Sequence, residues 1–454
     1  MEYNAALDRL FGLTDYERLS RAGSSQPRTD LGRMEAFLAR LGNPHHAVPA
    51  VHVAGTKGKG SVAAMCMSVL RAQGYHVGFY TSPHLHTFRE RIQVNGHPIS
   101  EGEFADLLGR IWHHVEEFNA NGEYGQVTLF EVLTAMAFWH FQQQHLDFQV
   151  VEVGLGGRLD ATNVVNGVVS VITSLSLDHT AILGDTLEQI AAEKAGIIKD
   201  GAAVVSAPQR TEAMRVIQRV CKARNARLVR VDRSMAWRLK DASLDGQSLR
   251  ADGRLGSYDV RIPLIGGYQL ENAATAIAAI EVLKERGVEI SDRALEKGLA
   301  SVEWPCRMEV LQRQPLIIAD GAHNPYSASR LREAVKEYVH PNRTFLIFGA
   351  SGGKHYDEMA AELAPICSQV MTTRSRHPRS VSSSDLADVF RRLGLSTVET
   401  VDVRDAVTQA VAMVGEDDLV LITGSLFVAA EAREYVKGIK GEVYPEMQSS
   451  LLVP

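Results

Sequence analysis

The sequence predicts a two-domain α/β protein: a P-loop ATPase-type domain on a mostly parallel sheet, then a smaller Rossmann-like α/β domain at the C-terminal end. Three observations predict it. A glycine-rich loop follows a short β-branched run in VHVAGTKGKGS (residues 51–61), strand-like runs then alternate with helical ones, and a second alternating series follows Trp304 and Pro305. Such alternation is typical of a parallel sheet covered by crossover helices.

The first series has the candidate strands YHVGFYTS, FQVVEVG, VVSVITSL and AAVVSAP, and the second has PLIIADG, RTFLIFGA, SQVMTTR and DLVLITGS. The residues up to about Pro49 predict helices and a polar loop, with a helical apolar period in LGRMEAFLARLG. We expect a long loop from Thr81 to Asn95 and short polar strands from Val231 to Val260. The Trp-Pro pair places the domain boundary near Val302 to Met308, which gives domains of residues 1–303 and 304–454.

Composition limits the class of protein. A chain of 454 residues exceeds one ordinary core, and 45% hydrophobic with 22% charged residues is typical of a soluble globular protein. The net charge of -6 argues against a general nucleic-acid binder. No basic leader or long apolar stretch is present, and the four cysteines lack metal-ligand spacing, so we expect a cytoplasmic protein without a membrane partner.

The glycine-rich loop predicts a phosphate site. Gly55, Gly58 and Gly60 can adopt backbone angles that let successive N–H groups point at an anion. Ser61 onward predicts a helix whose N-terminal dipole adds to that attraction. The loop departs from the strict P-loop pattern, because Val53 stands at its first glycine and Gly60 separates a lysine from Ser61. A structural glycine turn is the alternative.

Polar side chains follow three candidate strands. Glu152 ends FQVVE, His179 follows VVSVITSLSLD beside Asp178, and Ser82 follows YHVGFYT. The carboxyl ends of parallel strands share one edge of a sheet, where ligands bind. There a carboxylate can hold the Mg²⁺ that bridges nucleotide phosphates. The alternatives are a helix cap or salt bridge for Glu152, a solvated histidine, and a turn serine.

Lys194 lies in the helical run LEQIAAEKAGIIK among alanines and Ile197. A solvated charge is the default for a helical lysine. Apolar neighbours make partial burial plausible, and burial would depress the pKa of the amine and make it reactive.

In the second half, the turn ADGAHNP clusters Asp320, His323 and Asn324 after a strand. Asp320 could orient His323, and both could reach phosphates or an amine across a cleft; a polar turn is the alternative. Arg307, at the boundary, is either an ordinary linker charge or a phosphate clamp closed by domain motion.

Nine collinear segments resemble the folylpolyglutamate synthases and bifunctional dihydrofolate synthases of the Mur ligase superfamily. They cover most of the chain in order: VAGTKGKGS, TSPHL with FRERIQVNG, TLFEVLTAMAF, VEVGLGGRLDATN, SLDHTAILGDTLEQIAAEKAGIIK, QLENAATA, WPCR, DGAHNP and TGSLF. The resemblance implies a ligase in which ATP phosphorylates a carboxylate and the amine of L-glutamate displaces phosphate.

The same resemblance implies roles by position. The residues implied to hold the nucleotide are Gly55, Thr56, Gly58, Lys59, Gly60, Ser61, Asn272, Arg307, Asp320 and His323; Lys59, Lys194, Asp320 and His323 are the implied catalytic set. Ser82, Glu152 and His179 would place magnesium, and Thr128, Phe130, Asp160 and Ala161 match pterin-binding positions. ATP, Mg²⁺ and a carbamylated Lys194 are implied, K⁺ is admitted as a further cation, and the partners are a folate or dihydropteroate and L-glutamate, bound by a monomer.

Several positions depart from the common bacterial pattern. Lys57 replaces the usual Asn, Tyr268 a His, and Cys306 the Gly of WPGR. GASGGKHYDEM lacks the usual DKD run, and PRSV replaces PRA. The acceptor carboxylate, the preferred chain length and the glutamate site therefore stay open.

Two other functions stay open at this point. A cell-wall peptide ligase of the superfamily would carry a UDP-binding domain before the loop, and the segment before Ala50 is short for one. A nucleotide switch or non-ligating ATPase would explain the loop and Glu152. It would not explain Lys194, the pterin-like positions or the ADGAHNP turn.

Overall fold

A computed structural model of the chain describes residues 1–15 and 31–442. The polar loop predicted between the N-terminal helices falls in residues 16–30, outside the described residues. The helices are α1 Tyr3–Phe11, α2 Leu31–Arg40, α3 Lys59–Gln73, α4 Glu101–Asn121, α5 Leu129–Gln143, α6 Thr180–Leu183, α7 Leu187–Ala195, α8 Thr211–Ala223, α9 Val231–Ser234, α10 Gly267–Glu285, α11 Asp292–Ala300, α12 Pro325–Tyr338, α13 Tyr356–Leu363, α14 Ser383–Arg392, α15 Val403–Met413 and α16 Leu426–Lys437.

The strands form three sheets. They are β1 Ala50–Ala54, β2 Val77–Tyr80, β3 Ile92–Val94, β4 His97–Pro98, β5 Phe148–Glu152, β6 Gly167–Ile172, β7 Ala203–Ser206, β8 Arg227–Arg230, β9 Ala236–Ser243, β10 Gly246–Asp252, β11 Ser257–Ile262, β12 Glu309–Arg313, β13 Leu316–Ala319, β14 Thr344–Phe348, β15 Gln369–Thr372, β16 Thr397–Glu399 and β17 Leu419–Thr423.

The first sheet has the order β4-β3-β2-β5-β1-β6-β7-β8, and its strands from β2 to β8 run parallel. Because β5 and β6 flank β1, the carboxyl ends of these strands meet beside the glycine loop that follows β1. The predicted first series of strands is confirmed. The long loop predicted from Thr81 to Asn95 is wrong in part, since β3 pairs antiparallel with β2 at its end. β3 has only three residues, which are too few to show an alternating pattern.

The short polar strands predicted from Val231 to Val260 form the antiparallel sheet β11-β10-β9. The third sheet has the order β12-β13-β17-β14-β15-β16, parallel except for β12, and α12 to α16 accompany it. The predicted α/β class, with a mostly parallel first sheet and a separate C-terminal sheet, is confirmed. Residues 301–308 join α11 to β12, and we propose this segment as the domain boundary.

The first domain has its largest core between the parallel sheet, α3, α10 and α11. Every side chain of β1 and β5 is buried, as a parallel sheet covered on both faces requires. Within the described residues, no helix is long and apolar enough to cross a membrane.

Gly298 on α11 allows that helix to contact α3. A Cβ atom at this position would lie 2.4 Å from the Cα of Val69, and the Ser68 hydroxyl donates to the Gly298 carbonyl at 2.7 Å. The α3 backbone at Val69 cannot move away from an added Cβ atom as a flexible side chain could. We therefore expect Gly298→Ala to destabilise the fold by about 1–3 kcal/mol through overpacking, although alanine is the better helix former.

Gly109→Ala is the matched control. Gly109 lies in α4 with only the Met1 side chain near its added Cβ, at 3.5 Å, so we expect a gain of about 0.5–1 kcal/mol. Chemical denaturation measures both variants. Equal effects of the two substitutions would contradict the packing explanation.

Candidate active site

The glycine loop connects β1 to α3, and its glycines are required by close approach. A Cβ on Gly55 would lie 1.8 Å from the Thr173 hydroxyl oxygen, one on Gly58 2.3 Å from Asn272 Oδ1, and one on Gly60 2.2 Å from the Trp304 ring. Gly55 and Gly58 also have positive φ angles of 154° and 86°. The loop is therefore enclosed by three separate segments of the chain.

The helix predicted from Ser61 begins two residues earlier, at Lys59, with Gly58 as its N-cap. Val62 donates its N–H to the Gly58 carbonyl, which leaves the amides of the first turn available to an anion. Thr56 is used differently: its N–H and that of Lys57 donate to the Ser174 carbonyl, and its hydroxyl donates to the Ser176 carbonyl. Thr56 thus shapes the loop, and residues 59–61 present the free donors.

Glu152 ends β5 at the carboxyl edge, as predicted, and is buried. Burial raises the pKa of its carboxyl, while the nearby Lys59 ammonium opposes that rise. The backbone N–H of Ser82 approaches its Oε2 at 3.4 Å, so the structure brings these two predicted residues together. His179 is the N-cap of α6, with a φ of 51°, and lies beside Asp178.

The Lys194 side chain is 4% exposed, near the end of α7. Burial, with repulsion from Lys59, lowers the pKa of its amine to about 7. The burial suggested by its apolar neighbours is confirmed. An amine with this pKa is about half uncharged at neutral pH, and the uncharged form is a competent nucleophile.

The second domain contributes Asp320 and His323 from the turn after β13. The Asp320 carboxylate accepts the N–H groups of Met308 and Ala322, at 2.9 and 2.8 Å. The His323 Nδ1 lies 2.9 Å from the Gly321 carbonyl. The expectation that Asp320 orients His323 is therefore wrong, because two backbone amides occupy the carboxylate and a carbonyl orients the imidazole.

Arg307 and Asn272 lie at this boundary. Arg307 lies close enough to Asp320 that its charge opposes the rise in the Asp320 pKa caused by burial, and its guanidinium donates to the Cys306 carbonyl. Asn272 on α10 faces the loop at Gly58 and donates to Gln269. Asn272 thus lies against the glycine loop, and Arg307 lies beside the Asp320 turn on the other side of the cleft.

Asp178 is the site residue that the sequence analysis left without a role. Its Oδ2 accepts from Lys57 Nζ and from Asn324 Nδ2, each at 3.0 Å, and its Oδ1 lies 3.5 Å from Lys354 Nζ. Burial alone would raise its pKa, but the two ammonium groups hold it well below the usual range. No sequence motif joins these four residues, because they come from both domains.

Lys57 also determines the state of His323. Its Nζ lies 3.2 Å from His323 Nε2, and an ammonium can only donate. Nε2 is therefore the acceptor, and Nδ1 carries the proton shared with Gly321. The Lys57 charge, together with burial, lowers the pKa of His323 well below its usual value, so the imidazole is neutral.

The pterin-like positions lie at the start of α5 and in the turn that follows β5. Asp160 Oδ1 accepts from the N–H and hydroxyl of Thr162, and its Oδ2 accepts from the Leu155 N–H. Since the Thr162 hydroxyl donates to Asp160, it accepts from the buried His52 Nε2 at 3.0 Å. His52 and Thr162 fix the Asp160 carboxylate, and the sequence analysis missed both.

Thr128 is the N-cap of α5: its hydroxyl donates to Glu131 Oε2 and accepts the Glu131 N–H. Phe130 lies over Gly154, whose added Cβ would be 2.6 Å from the ring. Ala161 is buried in the turn Ala161–Val164 that follows Asp160. The polar side chains of Thr128 and Asp160 are thus held by hydrogen bonds to other residues of the chain.

The donor chemistry fits a magnesium nucleotide. Glu152 and the Ser82 hydroxyl are oxygen donors, which Mg²⁺ prefers, and the free amides of residues 59–61 suit phosphate. Among residues 1–15 and 31–442, no three His, Cys, Asp or Glu side chains form a metal cluster. Mg²⁺ bound through one carboxylate, water and phosphate needs no such cluster.

The fold and site define an ATP-dependent carboxylate–amine ligase of the Mur type. The Mur ligase middle domain family matches residues 53–280, and the Mur ligase, glutamate ligase domain family matches residues 306–426. The chain is 40% identical to the dihydrofolate synthase/folylpolyglutamate synthase of Bacillus subtilis, over 90% of this chain and 95% of that protein.

Solved structures agree. The Mycobacterium tuberculosis folylpolyglutamate synthase complexed with ADP superposes with a TM-score of 0.88 at 33% identity, covering 96% of this chain and 99% of that one. An FPGS–AMPPCP–folate complex superposes with a TM-score of 0.81 at 31% identity, covering 96% and 99%. The chain belongs to the folylpolyglutamate synthase and dihydrofolate synthase family, and the predicted ATP-dependent glutamate ligation is confirmed.

Gly58→Ala tests the enclosure of the loop. Its Cβ would meet Asn272, so we expect the affinity for ADP to fall about ten- to hundredfold, as overpacking of about 1–3 kcal/mol implies. Titration calorimetry with ADP and Mg²⁺ measures the loss.

Gly74→Ala is the control at the other end of α3. Gly74 has a φ of 105° with open space around its Cβ position. That variant should lose about 1 kcal/mol of stability and keep its ADP affinity. ADP binding by Gly58→Ala at wild-type strength would contradict the enclosure.

Proposed function

We propose that this enzyme adds L-glutamate both to dihydropteroate and to reduced folates, as a monomer in the cytoplasm. The observation that carries the proposal is the convergence of three groups at one sheet edge. The free amides of residues 59–61, the Glu152 carboxylate and the buried Lys194 amine lie together there, facing the Asp320 and His323 turn of the second domain. The bifunctional name of the Bacillus subtilis relative supports both acceptors.

In the first step, an oxygen of the acceptor carboxylate attacks the γ-phosphorus of ATP, and the bond to ADP breaks. The amides of Lys59, Gly60 and Ser61, with the Lys59 ammonium, stabilise the charge on the phosphoryl oxygens. Asn272 and Arg307 hold the nucleotide. Ser82, Glu152 and His179 would hold Mg²⁺, which would neutralise phosphate charge.

In the second step, the glutamate nitrogen attacks the acyl carbon, inorganic phosphate leaves, and the nitrogen gives up a proton. Lys57 occupies the Nε2 of the neutral His323 and Gly321 its Nδ1, so His323 holds the turn of the second domain against the phosphate loop during the attack, and the departing phosphate takes the proton. An acyl phosphate hydrolyses readily, so the domain cleft must exclude water while it exists. Asp320 acts on the nucleotide through the backbone that it holds.

Thr128, Phe130, Asp160 and Ala161 form the proposed pterin site. Asp160 is held by three donors, which keeps one carboxylate geometry for the polar edge of a pterin. Phe130 presents a ring face, which suits stacking on a flat heterocycle. A site that recognises the pterin ring would bind both substrates, since dihydropteroate and the folates share that ring.

We expect release of ADP and phosphate only when L-glutamate and a pterin acceptor are both present. Coupled ADP assays with dihydropteroate and with tetrahydrofolate, each with and without glutamate, measure this. Both acceptors should be ligated, with the products identified by mass. Turnover with only one acceptor would refute bifunctionality, and turnover without glutamate would refute ligation.

His323→Ala tests the second step. We expect ligation to fall about a hundredfold, as for loss of a residue that positions the reacting groups, while ADP binding persists. Near-wild-type ligation would refute the role of His323. Ligation rate and ADP affinity are measured on the same preparation.

We propose that Lys194 is carbamylated and supplies a carboxylate directed at the metal. With a pKa of about 7, the reactive neutral amine increases as pH rises through 7, so activity at limiting bicarbonate should rise with it. Lys194→Ala should remain folded and lose ligation, and short carboxylic acids should restore part of the rate. Bicarbonate-independent activity, or wild-type rates in Lys194→Ala, would contradict the modification.

A further inference from the structure

The cleft between the domains contains a half-buried carboxylate, that of Asp178, held from both sides. From the first domain, Lys57 Nζ contacts Asp178 Oδ2 at 3.0 Å, and the His179 N–H donates to Oδ1 at 2.9 Å. From the second domain, Asn324 Nδ2 donates at 3.0 Å and Lys354 Nζ approaches at 3.5 Å. We call Lys57, Asp178, Asn324 and Lys354 the interdomain joint.

Lys57 belongs to the glycine loop, but its ammonium contacts Asp178, whereas the Lys59 ammonium lies near Glu152. Its backbone N–H is bound to Ser174, and its ammonium bridges Asp178 and His323. One lysine thus connects the loop, the residue before His179, and the turn of the second domain. The first-domain contacts alone would hold Asp178 whether the cleft is open or closed, whereas the His323 contact exists only when the domains meet.

Burial makes these contacts stronger than a surface ion pair. The Lys57 and Asp178 side chains are 19% and 10% exposed, so solvent screens their attraction only weakly. Charge-assisted hydrogen bonds in such surroundings are about twice as strong as neutral ones. The joint can therefore favour the closed arrangement measurably.

We propose that Lys57 is a positioning residue that links the phosphate loop to the second domain through Asp178 and His323. This link would hold the loop and the ADGAHNP turn in the relative position that ligation requires. This inference rests on the ligation proposed above. It assigns to Lys57 a part in closure and glutamate attack, separate from phosphate binding, which falls to residues 59–61.

The test compares Lys57→Met with wild type in kcat, in KM for ATP and in affinity for ADP with Mg²⁺. A positioning role predicts that kcat falls about ten- to hundredfold, the loss expected for a charge-assisted bond, while ADP affinity stays within about twofold. An equal loss of ADP affinity would make Lys57 an ordinary phosphate ligand and overturn the proposal. An unchanged kcat would overturn it as well.

A double-mutant cycle with Asp178→Asn tests the linkage. If both residues act through one joint, the double variant should lose no more than the worse single variant. Losses that multiply would show independent roles and overturn the linkage. Thermal unfolding of each variant confirms that it is folded; if Lys57→Met does not fold, the same cycle is run with Lys57→Asn.

Small-angle scattering of the full chain with ADP reports closure without requiring turnover. Lys57→Met should show a larger radius of gyration than wild type, and equal radii would overturn the closure role. Failure of the wild-type enzyme to ligate glutamate would refute the proposed function. The scattering comparison would still test whether the interdomain joint favours the closed arrangement.

Lys284→Met is the matched control. Lys284 Nζ pairs with Asp292 at 2.8 Å within the first domain, but the Asp292 side chain is 67% exposed. This variant removes a lysine–aspartate pair of similar length far from the cleft. It should leave kcat, ADP affinity and the radius of gyration unchanged.

Discussion

The packing of the glycine loop is the constraint on which the rest of the site depends. Thr173, Asn272 and Trp304 occupy the places where side chains of Gly55, Gly58 and Gly60 would lie. These three contacts come from the end of β6, from α10 and from the domain link. Because each of these contacts is close, a shift of α10 or of the domain link would displace the first turn of α3, where the free amides lie.

Strand order converts that loop into a reaction site. β5 and β6 flank β1, so Glu152 and the segment 173–179 emerge on either side of the loop without any long-range sequence signal. The result is that the amines of Lys57, Lys59 and Lys194 lie around the Glu152 and Asp178 carboxylates. Such an edge is organised in advance for the phosphates and carboxylates of its substrates, which is where most electrostatic catalysis originates.

The sequence predicted what local chemistry dictates. Parallel strands and the strand-end position of Glu152 follow from periodicity and are observed, whereas the apolar neighbours of Lys194 made only its partial burial plausible, and the structure buries it. β3 could not be predicted, because three residues are too few to show a strand pattern before their pairing with β2 is known. The helix start at Lys59 was missed because the two residues before Ser61 resemble loop until the φ of Gly58 is known.

Both errors at the site concern a carboxylate whose hydrogen-bond partners are set by the folded structure and not by its neighbours in the sequence. Asp320 and His323 are neighbours in sequence, which suggested a pair, but the Met308 and Ala322 amides are better placed donors for that carboxylate. Asp178 was ignored for the converse reason: its partners lie about 120, 150 and 180 residues away in the chain. A carboxylate whose partners belong to two domains has no local signature. Its importance follows from the closed cleft, since only there do Lys57, Asn324 and Lys354 meet, and closure is the step that ligation through a hydrolysable acyl phosphate cannot omit.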